Sequence, residues 1–185
     1  VKREVYASTY GDSGTCHSLG ELDHTDEYTY DGGDWVDLLV KYNGSSNYCT
    51  LLAKYKDCGL FIPICPECLG QLTIPRLPAE ITGGDGSDVL NGTAKVYDNA
   101  GYNVTENFIK GAEAALEVAR RKQIKFAVLK ARSPSCGTGK IYNGNFNGTL
   151  MNGDGVTSAL LKQNGITVYT ELDLTEELLN ELLVR

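Results

Sequence analysis

Cysteine is the residue type whose positions in this sequence most clearly suggest chemistry, and it occurs at positions 16, 49, 58, 65, 68 and 136. Three of these cysteines follow apolar, strand-like runs: Cys16 after REVYAST, Cys65 at the end of LFIPIC and Cys136 after IKFAVLK. Loops at the carboxyl ends of parallel strands gather along one sheet edge, where α/β proteins bind ligands. We therefore expect these three thiols to meet there. Cys49 and Cys58 lie on a predicted helix and are expected to behave as small hydrophobes.

The loop ARSPSCGTGK around Cys136 is compatible with several kinds of site. A phosphate-binding P-loop is disfavoured because its pattern needs glycine at Pro134 and serine or threonine at Ile141. A cysteine nucleophile would need a nearby base, and both histidines, His17 and His24, lie in the first predicted loop. A buried thiol in a tight turn is the simplest alternative.

The stretch CPEC, from Cys65 to Cys68, has the spacing of thioredoxin-type redox motifs and of half a zinc site. A thioredoxin motif opens a helix, whereas we expect CPECLGQLTIPRLP to be an irregular loop because Pro75 and Pro78 interrupt it. The sequence has no second C-x-x-C or paired-histidine motif to complete a zinc site. Single thiolates from separate loops instead suit an iron–sulfur cluster with an incomplete cysteine set, which leaves one iron open to chemistry.

Charged residues near the same predicted edge add candidate functional groups. Glu67, two residues after Cys65, could act as an acid or base beside a metal, or be a solvated loop charge. Asp154 precedes a predicted helix and is expected to be its N-cap. Arg76 and Glu80 lie in the extended segment TIPRLPAE, where they could pair with each other or reach a polar edge of a substrate.

Strand-like runs alternate with helical periodicity along the chain, a pattern typical of α/β proteins with a mostly parallel sheet. The predicted strands are REVYAST (3–9), LFIPIC (60–65), IKFAVLK and ITVYT, with a hairpin over AKVYDNAGYNVT (94–105). The predicted helices are DWVDLLVKY, NYCTLLAKYKDCG, TENFIKGAEAALEVARRKQ (105–123), VTSALLKQNG and DLTEELLNELLVR. Thr105 is the expected N-cap of the longest helix, and Asp173 with Glu176 the capping box of the last. We predict YNGNFNGTLMNGDG to be a loop, and residues 1–185 to form a single α/β domain.

Composition limits the classes of partner. The formal net charge of −7 is unfavourable for binding a nucleic-acid duplex or an anionic membrane, and it is compatible with a small neutral substrate. No stretch has the apolar length of a membrane span, and the first residues, VKREVYAST, lack the long apolar core that we would expect of a signal peptide. Four N-x-S/T sequons and six cysteines would suit secretion, but three sequons begin with the turn dipeptide Asn-Gly, and a chain of 185 residues does not need disulfides. We favour a cytoplasmic protein and assign no oligomeric state.

Four stretches of the sequence together resemble the thiouracil desulfidase (TudS-like) family: IPICPECLGQLTIPRLPAEITGGDGSDVLNG, VTENFIKGAEAAL, AVLKARSPSCGTGKIYNG and GDGVTSALLKQNGI. The resemblance spans residues 60–172, and YDGG (30–33) extends it upstream. It implies a Rossmann-like α/β domain that holds a [4Fe-4S] cluster on three cysteines. In such a protein the iron without a protein ligand takes the sulfur of a thiolated uracil, and water replaces that sulfur without net redox chemistry. The resemblance makes Cys65 and Cys136 cluster ligands, Glu67 the proton-handling carboxylate, and Ser135 the hydroxyl that positions substrate or water.

The first predicted loop, 10–34, departs from the family pattern, which places a ligand directly after the first strand. Aligning strand ends puts Thr9 at the ligand position, whereas aligning the C-x-x-L-G stretch puts Cys16 there, and we prefer Cys16. Cys68 is also unusual, because a fourth thiolate would fill the open iron or replace a missing first ligand. The resulting hypothesis is cluster-dependent desulfuration of a thiolated pyrimidine such as thiouracil. The alternatives are a nucleobase-binding protein without turnover and a thiol- or zinc-binding module.

Overall fold

The computed structural model describes residues 5–8, 50–54 and 61–184 of the chain. The elements are β1 (Val5–Ser8), α1 (Thr50–Lys54), β2 (Phe61–Ile64), α2 (Pro66–Leu69), β3 (Ala79–Thr82), α3 (Gly86–Leu90), β4 (Lys95–Asp98), α4 (Thr105–Arg121), β5 (Phe126–Leu129), β6 (Lys140–Tyr142), β7 (Leu150–Asn152), α5 (Val156–Gln163), β8 (Thr167–Thr170) and α6 (Glu176–Val184). Four strands form a fully parallel sheet in the order β2-β1-β5-β8, and β3–β4 and β6–β7 are antiparallel pairs. The predicted α/β class is therefore confirmed.

Strand β5 shows why the parallel sheet lies inside the protein. Ala127 and Leu129 pack in one core cluster with residues of α4 and α5. Val128, which points to the opposite face, packs in another cluster with Leu52 of α1 and Leu179 of α6. Because side chains alternate along a strand, the continuous apolar run FAVL is what a strand covered by helices on both faces requires.

Helix α4 is the longest of the described helices, and its buried face consists mainly of small residues. Gly111, Ala112, Ala115 and Ala119 recur at helical spacing on that face, with Phe108 at its amino-terminal end. Side chains this small let neighbouring backbones come close, and α4 packs extensively against both α2 and α5. This close approach fixes the position of the segment that follows β2.

The antiparallel pairs correct two sequence predictions. Strand β4 pairs along its length with β3, while the predicted hairpin over 94–105 is reduced to one bridge between Tyr97 and Asn103. Strand β7 and the last residue of β6, Tyr142, lie in the region that we predicted to be a turn-rich loop. Both errors have the same cause. A strand of three or four residues is too short to show a clear periodicity in the sequence, and its pairing with a partner strand is what identifies it.

Helix ends also differ from the predicted caps. Val104 is the N-cap of α4, and the Thr105 backbone N–H donates to the Asn103 side chain at 3.0 Å, so Thr105 is not the cap. The prediction that Asp173 and Glu176 form the capping box of α6 is wrong as well. The Asp173 carboxylate accepts hydrogen bonds from the backbone N–H and hydroxyl of Thr170, both at 2.7 Å. The Thr175 hydroxyl instead accepts the Leu178 N–H at 3.1 Å at the start of α6.

Several predictions fall on residues outside the described part of the chain. They are the helix DWVDLLVKY, the loop 10–34 with Cys16, and the cysteines at positions 49 and 58. Within the described residues, none of the helices has the length and apolar character that crossing a bilayer would require.

Candidate functional site

Two of the predicted thiols lie at the carboxyl-terminal edge of the parallel sheet. Cys65 directly follows β2, and Cys136 lies in the loop after β5, with β1 between those two strands. Cys136 is buried and belongs to the same core cluster as Ile64, the residue before Cys65. Cys65 and Cys136 therefore lie at the same sheet edge, as predicted, while Cys16 lies outside the described residues.

The Cys65 loop, residues 65–70, is a single helical turn held against α4 by close backbone contact. Pro66 occupies the first position of α2, where its missing N–H has no helical partner to lose. A Cβ built on Gly111 of α4 would lie 2.0 Å from the Pro66 carbonyl oxygen, and one built on Gly70 would lie 1.9 Å from the Asn107 carbonyl oxygen. No side chain larger than hydrogen fits at either glycine without a shift of the backbone. The expected irregular loop is thus wrong at this turn.

The Cys136 loop, residues 133–137, is organised by the hydroxyl of Ser133. This oxygen accepts the backbone N–H groups of Ser135 at 3.1 Å and Cys136 at 3.2 Å. Gly137 closes the turn, because its N–H donates to the Ser133 carbonyl at 2.8 Å. The turn holds the Cys136 backbone in one orientation although it contains no regular secondary structure.

Helix α5 holds the same loop from the other side. The first N–H groups of a helix have no partner within the helix. Here Val156 donates to the Pro134 carbonyl and Thr157 to the Ser135 carbonyl, both at 2.9 Å. The Ser158 hydroxyl donates to the Cys136 carbonyl at 2.6 Å. The loop thus supplies the acceptors that the helix end needs, and the two segments fix each other.

A carboxylate links the two cysteine loops. The Glu67 side chain accepts a hydrogen bond on Oε2 from Nε of Arg76 at 2.7 Å, and its Oε1 accepts from the Ser133 hydroxyl at 3.4 Å. The side chains of Arg76 and Glu67 are only 11% and 17% exposed. Glu67 is therefore an oriented, largely buried group and not the solvated charge that we considered as the alternative.

The Cys65 thiol, beside this carboxylate, lies in an environment that favours thiolate. A hydrogen bond with the Cys68 side chain lowers the pKa of Cys65, with a further contribution from the charge of Arg76, against the opposing effects of burial and of Glu67. Burial lowers the pKa of Arg76, but the neighbouring Glu67 and thiol charges outweigh it and raise that pKa above its ordinary value. Arg76 is therefore permanently cationic, and its charge favours the thiolate form of Cys65. Thiolate is the form in which cysteine binds a metal.

The remaining predicted site residues occupy different surroundings. Ser135 is buried, and its hydroxyl shares a hydrogen bond of 2.9 Å with that of Thr157. Cys68 lies beside Cys65 in the same helical turn. Within residues 5–8, 50–54 and 61–184, no three His, Cys, Asp or Glu side chains form a group that could hold a metal ion.

The positions of Asp154 and Glu80 differ from two further predictions. Gly155 is the N-cap of α5, and Asp154 Oδ1 accepts from the Thr138 hydroxyl at 3.0 Å and the Gly139 N–H at 2.8 Å. Glu80 does not pair with Arg76, because it is buried on β3 and accepts the Phe146 N–H at 3.0 Å.

The chain is similar in sequence to known proteins. A family described as 2-thiouracil desulfurase matches residues 36–173. This chain belongs to the 2-thiouracil desulfurase family. An uncharacterized protein of Bacillus subtilis (strain 168), YbbK, is 46% identical over 136 residues, which are 74% of this chain and 90% of YbbK.

The solved structure of a [4Fe-4S]-dependent thiouracil desulfidase, TudS, is also similar. It superposes with a TM-score of 0.69 at 33% identity, over 99% of this chain and 97% of that one. The family membership that the sequence motifs predicted is confirmed.

Within this desulfurase family member, sequence reasoning missed the part played by Ser133. The signal was present, because serine three residues before a cysteine in a turn can accept backbone N–H groups. It also missed the Arg76–Glu67 pair, which joins residues nine positions apart across a helical turn and a proline-bounded segment. Local sequence spacing carried no sign that these two charges meet.

Proposed function

We propose that this protein catalyses the desulfuration of a thiolated uracil with a [4Fe-4S] cluster. The observation that carries the proposal is the position of Cys65 and Cys136 at one sheet edge, with the Glu67 carboxylate hydrogen-bonded to Ser133 of the Cys136 loop. The reaction converts thiouracil and water into uracil and sulfide, so that a C=S bond is replaced by C=O and no electrons are transferred. Family membership and the similarity to a [4Fe-4S]-dependent thiouracil desulfidase support the same reaction.

The donor set suits an iron–sulfur cluster. Cys65 and Cys136 present soft sulfur donors from separate loops, and the lowered pKa of Cys65 favours the form that binds iron. We assign Cys65, Cys136 and Cys16 as the three ligands, and Cys68 as a neighbouring thiol that is not a ligand. Three protein ligands would leave one iron available, and the cluster would supply Lewis acidity toward the sulfur of the substrate.

Glu67 and Ser135 are the proposed catalytic residues. Glu67 transfers a proton between the attacking water and the pyrimidine ring, and its two hydrogen-bond partners hold it beside both cysteine loops. Ser135 positions substrate or water with its hydroxyl, which Thr157 orients through the buried bond of 2.9 Å. Orientation by fixed neighbours is the general means by which an enzyme reduces the entropy cost of bringing reactants together.

The function is tested with anaerobically prepared protein. Wild type is expected to carry iron and sulfide in the ratio of one cluster per chain and to release sulfide from thiouracil. Cys136→Ala and Cys16→Ala are expected to lose the visible absorption of the iron–sulfur cluster, whereas Cys68→Ala is expected to keep it. Loss in Cys68→Ala with retention in Cys16→Ala would make Cys68 the third ligand.

Other outcomes would overturn the function itself. Folded wild-type protein that holds one zinc ion and no cluster after reconstitution would identify a metal-binding module. Protein that carries the cluster and is stabilised by thiouracil without releasing sulfide would identify a binding protein that does not turn its ligand over.

The strand order β2-β1-β5-β8, with helices on both faces, supports a Rossmann-like arrangement. We propose a single domain over residues 1–185 that acts in the cytoplasm on a small molecule, without nucleic-acid duplex or membrane as partner. Cys65, Cys68 and Cys136 form no disulfide in the described part of the chain, which is compatible with that compartment.

A further inference from the structure

Arg76 lies in the proline-bounded segment TIPRLPAE, to which the proposed reaction assigns no role. Its side chain is 11% exposed, and Nε donates to Glu67 Oε2 at 2.7 Å. A second nitrogen, Nη1, donates to the Thr73 carbonyl at 3.3 Å. The guanidinium is thus attached both to its own segment and to the carboxylate of the Cys65 loop.

The two oxygens of Glu67 have different partners. Oε2 is occupied by the Arg76 cation, while Oε1 faces the Ser133 hydroxyl at 3.4 Å, a weaker contact on the side of the Cys136 loop. Ser133 has one hydroxyl proton, and its oxygen already accepts two backbone N–H groups, so it can do no more than donate to Oε1. Arg76 therefore makes the stronger of the two contacts that orient the Glu67 carboxylate.

We propose that Arg76 is the positioning residue of Glu67. By fixing Oε2, it directs Oε1 toward the space between the two cysteine loops, where the substrate of the proposed desulfuration would react. This inference rests on the proposed function. It goes beyond it because it assigns Arg76 a role in the rate of the reaction and not in cluster binding.

The chemistry of arginine explains why this residue type is required. Nε is a donor inside the planar guanidinium, so Arg76 can contact Glu67 while Nη1 contacts the backbone. Lysine carries one compact ammonium and cannot make both contacts with the same fixed geometry. Pro75 and Pro78 restrict the backbone on either side of Arg76, which limits the directions in which its side chain leaves the segment.

A second ion pair in the protein provides a matched control. Arg121 Nε donates to Glu117 Oε1, also at 2.7 Å, but both side chains are nearly half exposed on the surface of α4. The donor atom and the distance are the same, but the Arg121–Glu117 pair is exposed and joins residues four positions apart in one helix. Arg121→Met removes the same kind of contact away from both cysteine loops.

The experiment compares Arg76→Met, Arg76→Lys and Arg121→Met with wild type in cluster-loaded and cluster-free form. Four quantities are measured: iron per chain, the thermal midpoint of the cluster-free protein, KM for thiouracil, and the single-turnover rate in H2O and D2O. For Arg76→Met we expect a rate on the order of 100-fold lower, because misplacing a reacting group has about this effect. Its iron content and KM should stay at the wild-type values, and its solvent isotope effect should increase because proton transfer becomes slower. Arg76→Lys should recover little of the rate, and Arg121→Met should match wild type in all four quantities.

Each contrary result has a distinct meaning. An unchanged rate in Arg76→Met, or full recovery in Arg76→Lys, would overturn the positioning role. A loss of iron or of thermal midpoint in both Arg76 variants, in step with the rate, would show that the pair is structural. Wild-type protein that holds the cluster and releases no sulfide would refute the proposed function itself, and with it this inference.

Discussion

The two cysteine loops reach the same edge of the sheet but are held there by different forces. The Cys65 loop is pressed against α4 by backbone contacts so close that only glycine fits at positions 70 and 111. The Cys136 loop is held by hydrogen bonds from the hydroxyl of Ser158 and from the first N–H groups of α5. The first attachment is mainly steric, although Asn107 Nδ2 of α4 also donates to the Gly70 carbonyl at 2.8 Å. The second is mainly polar, although a Cβ on Gly155 would lie 2.4 Å from the Ser135 carbonyl oxygen.

This difference determines how each loop responds to change. A steric contact between two backbones cannot be relieved by turning a side chain, so a single added methyl group must move a helix. A set of hydrogen bonds can lose one member while the others stay in place, at a cost of about 1 to 2 kcal/mol per bond. We therefore expect the Cys65 loop to fail abruptly and the Cys136 loop to weaken in steps.

The largest effect is expected for Gly111→Ala. The added Cβ would lie 2.0 Å from the Pro66 carbonyl oxygen. Overpacking of this kind costs about 3 kcal/mol, and the better helix propensity of alanine returns about 1 kcal/mol. Urea unfolding of the cluster-free protein should show a net loss of about 2 kcal/mol. Lys110→Ala, at an exposed position one residue earlier on α4, is the control, and a Gly111→Ala variant more stable than wild type would refute the steric account.

A smaller effect is expected for Ser158→Ala in the Cys136 loop. This substitution removes the hydroxyl that donates to the Cys136 carbonyl at 2.6 Å and leaves a buried acceptor with one partner fewer. The loss in unfolding free energy should be about 1.5 kcal/mol, as for other buried hydrogen bonds. Gln163→Ala, exposed on the same helix, serves as the comparison. If Ser158→Ala destabilised the protein more than Gly111→Ala does, the distinction between the two loops would be wrong.

The smallest effect is expected for Asp154→Asn, and it should depend on pH. Burial raises the pKa of Asp154, but hydrogen bonds from Lys162, the Gly139 N–H and Thr138 outweigh it and hold that pKa below its ordinary value. A lowered carboxyl pKa stabilises the folded state above the ordinary aspartate value of about 3.9, and the contribution is lost as pH falls through the folded-state pKa.

Unfolding of wild type and Asp154→Asn should therefore differ by about 1 kcal/mol at pH 7, since Lys162 is partly exposed and its pairing is screened. The difference should decrease as the pH is lowered below 4. A difference that stays constant from pH 7 to pH 3 would show that the Asp154 charge does not contribute.

Much of the fold could be predicted from the chain because its signals are local. The apolar run at β5, the helical periodicity of α4 and the glycine after α5 each specify an element without reference to distant residues. The antiparallel pairs β3–β4 and β6–β7 could not be predicted, because three- and four-residue strands form only when a partner lies alongside. The prediction of Asp154 and Asp173 as helix caps was wrong for a related reason, since a carboxylate accepts hydrogen bonds from whichever donors the tertiary structure brings near.

The sequence by itself determined the family, the parallel sheet and the convergence of Cys65 with Cys136. Motif spacing and strand order suffice for these, because the carboxyl ends of parallel strands share one edge. Only the tertiary structure decided that Glu67 pairs with Arg76 and not Arg76 with Glu80, and that Ser133 connects the carboxylate to the Cys136 loop. The reason is physical: a charge takes the partner that lies within hydrogen-bond reach once the backbones have packed, and that packing depends on glycines 70 and 111, whose spacing along the chain does not reveal their contact.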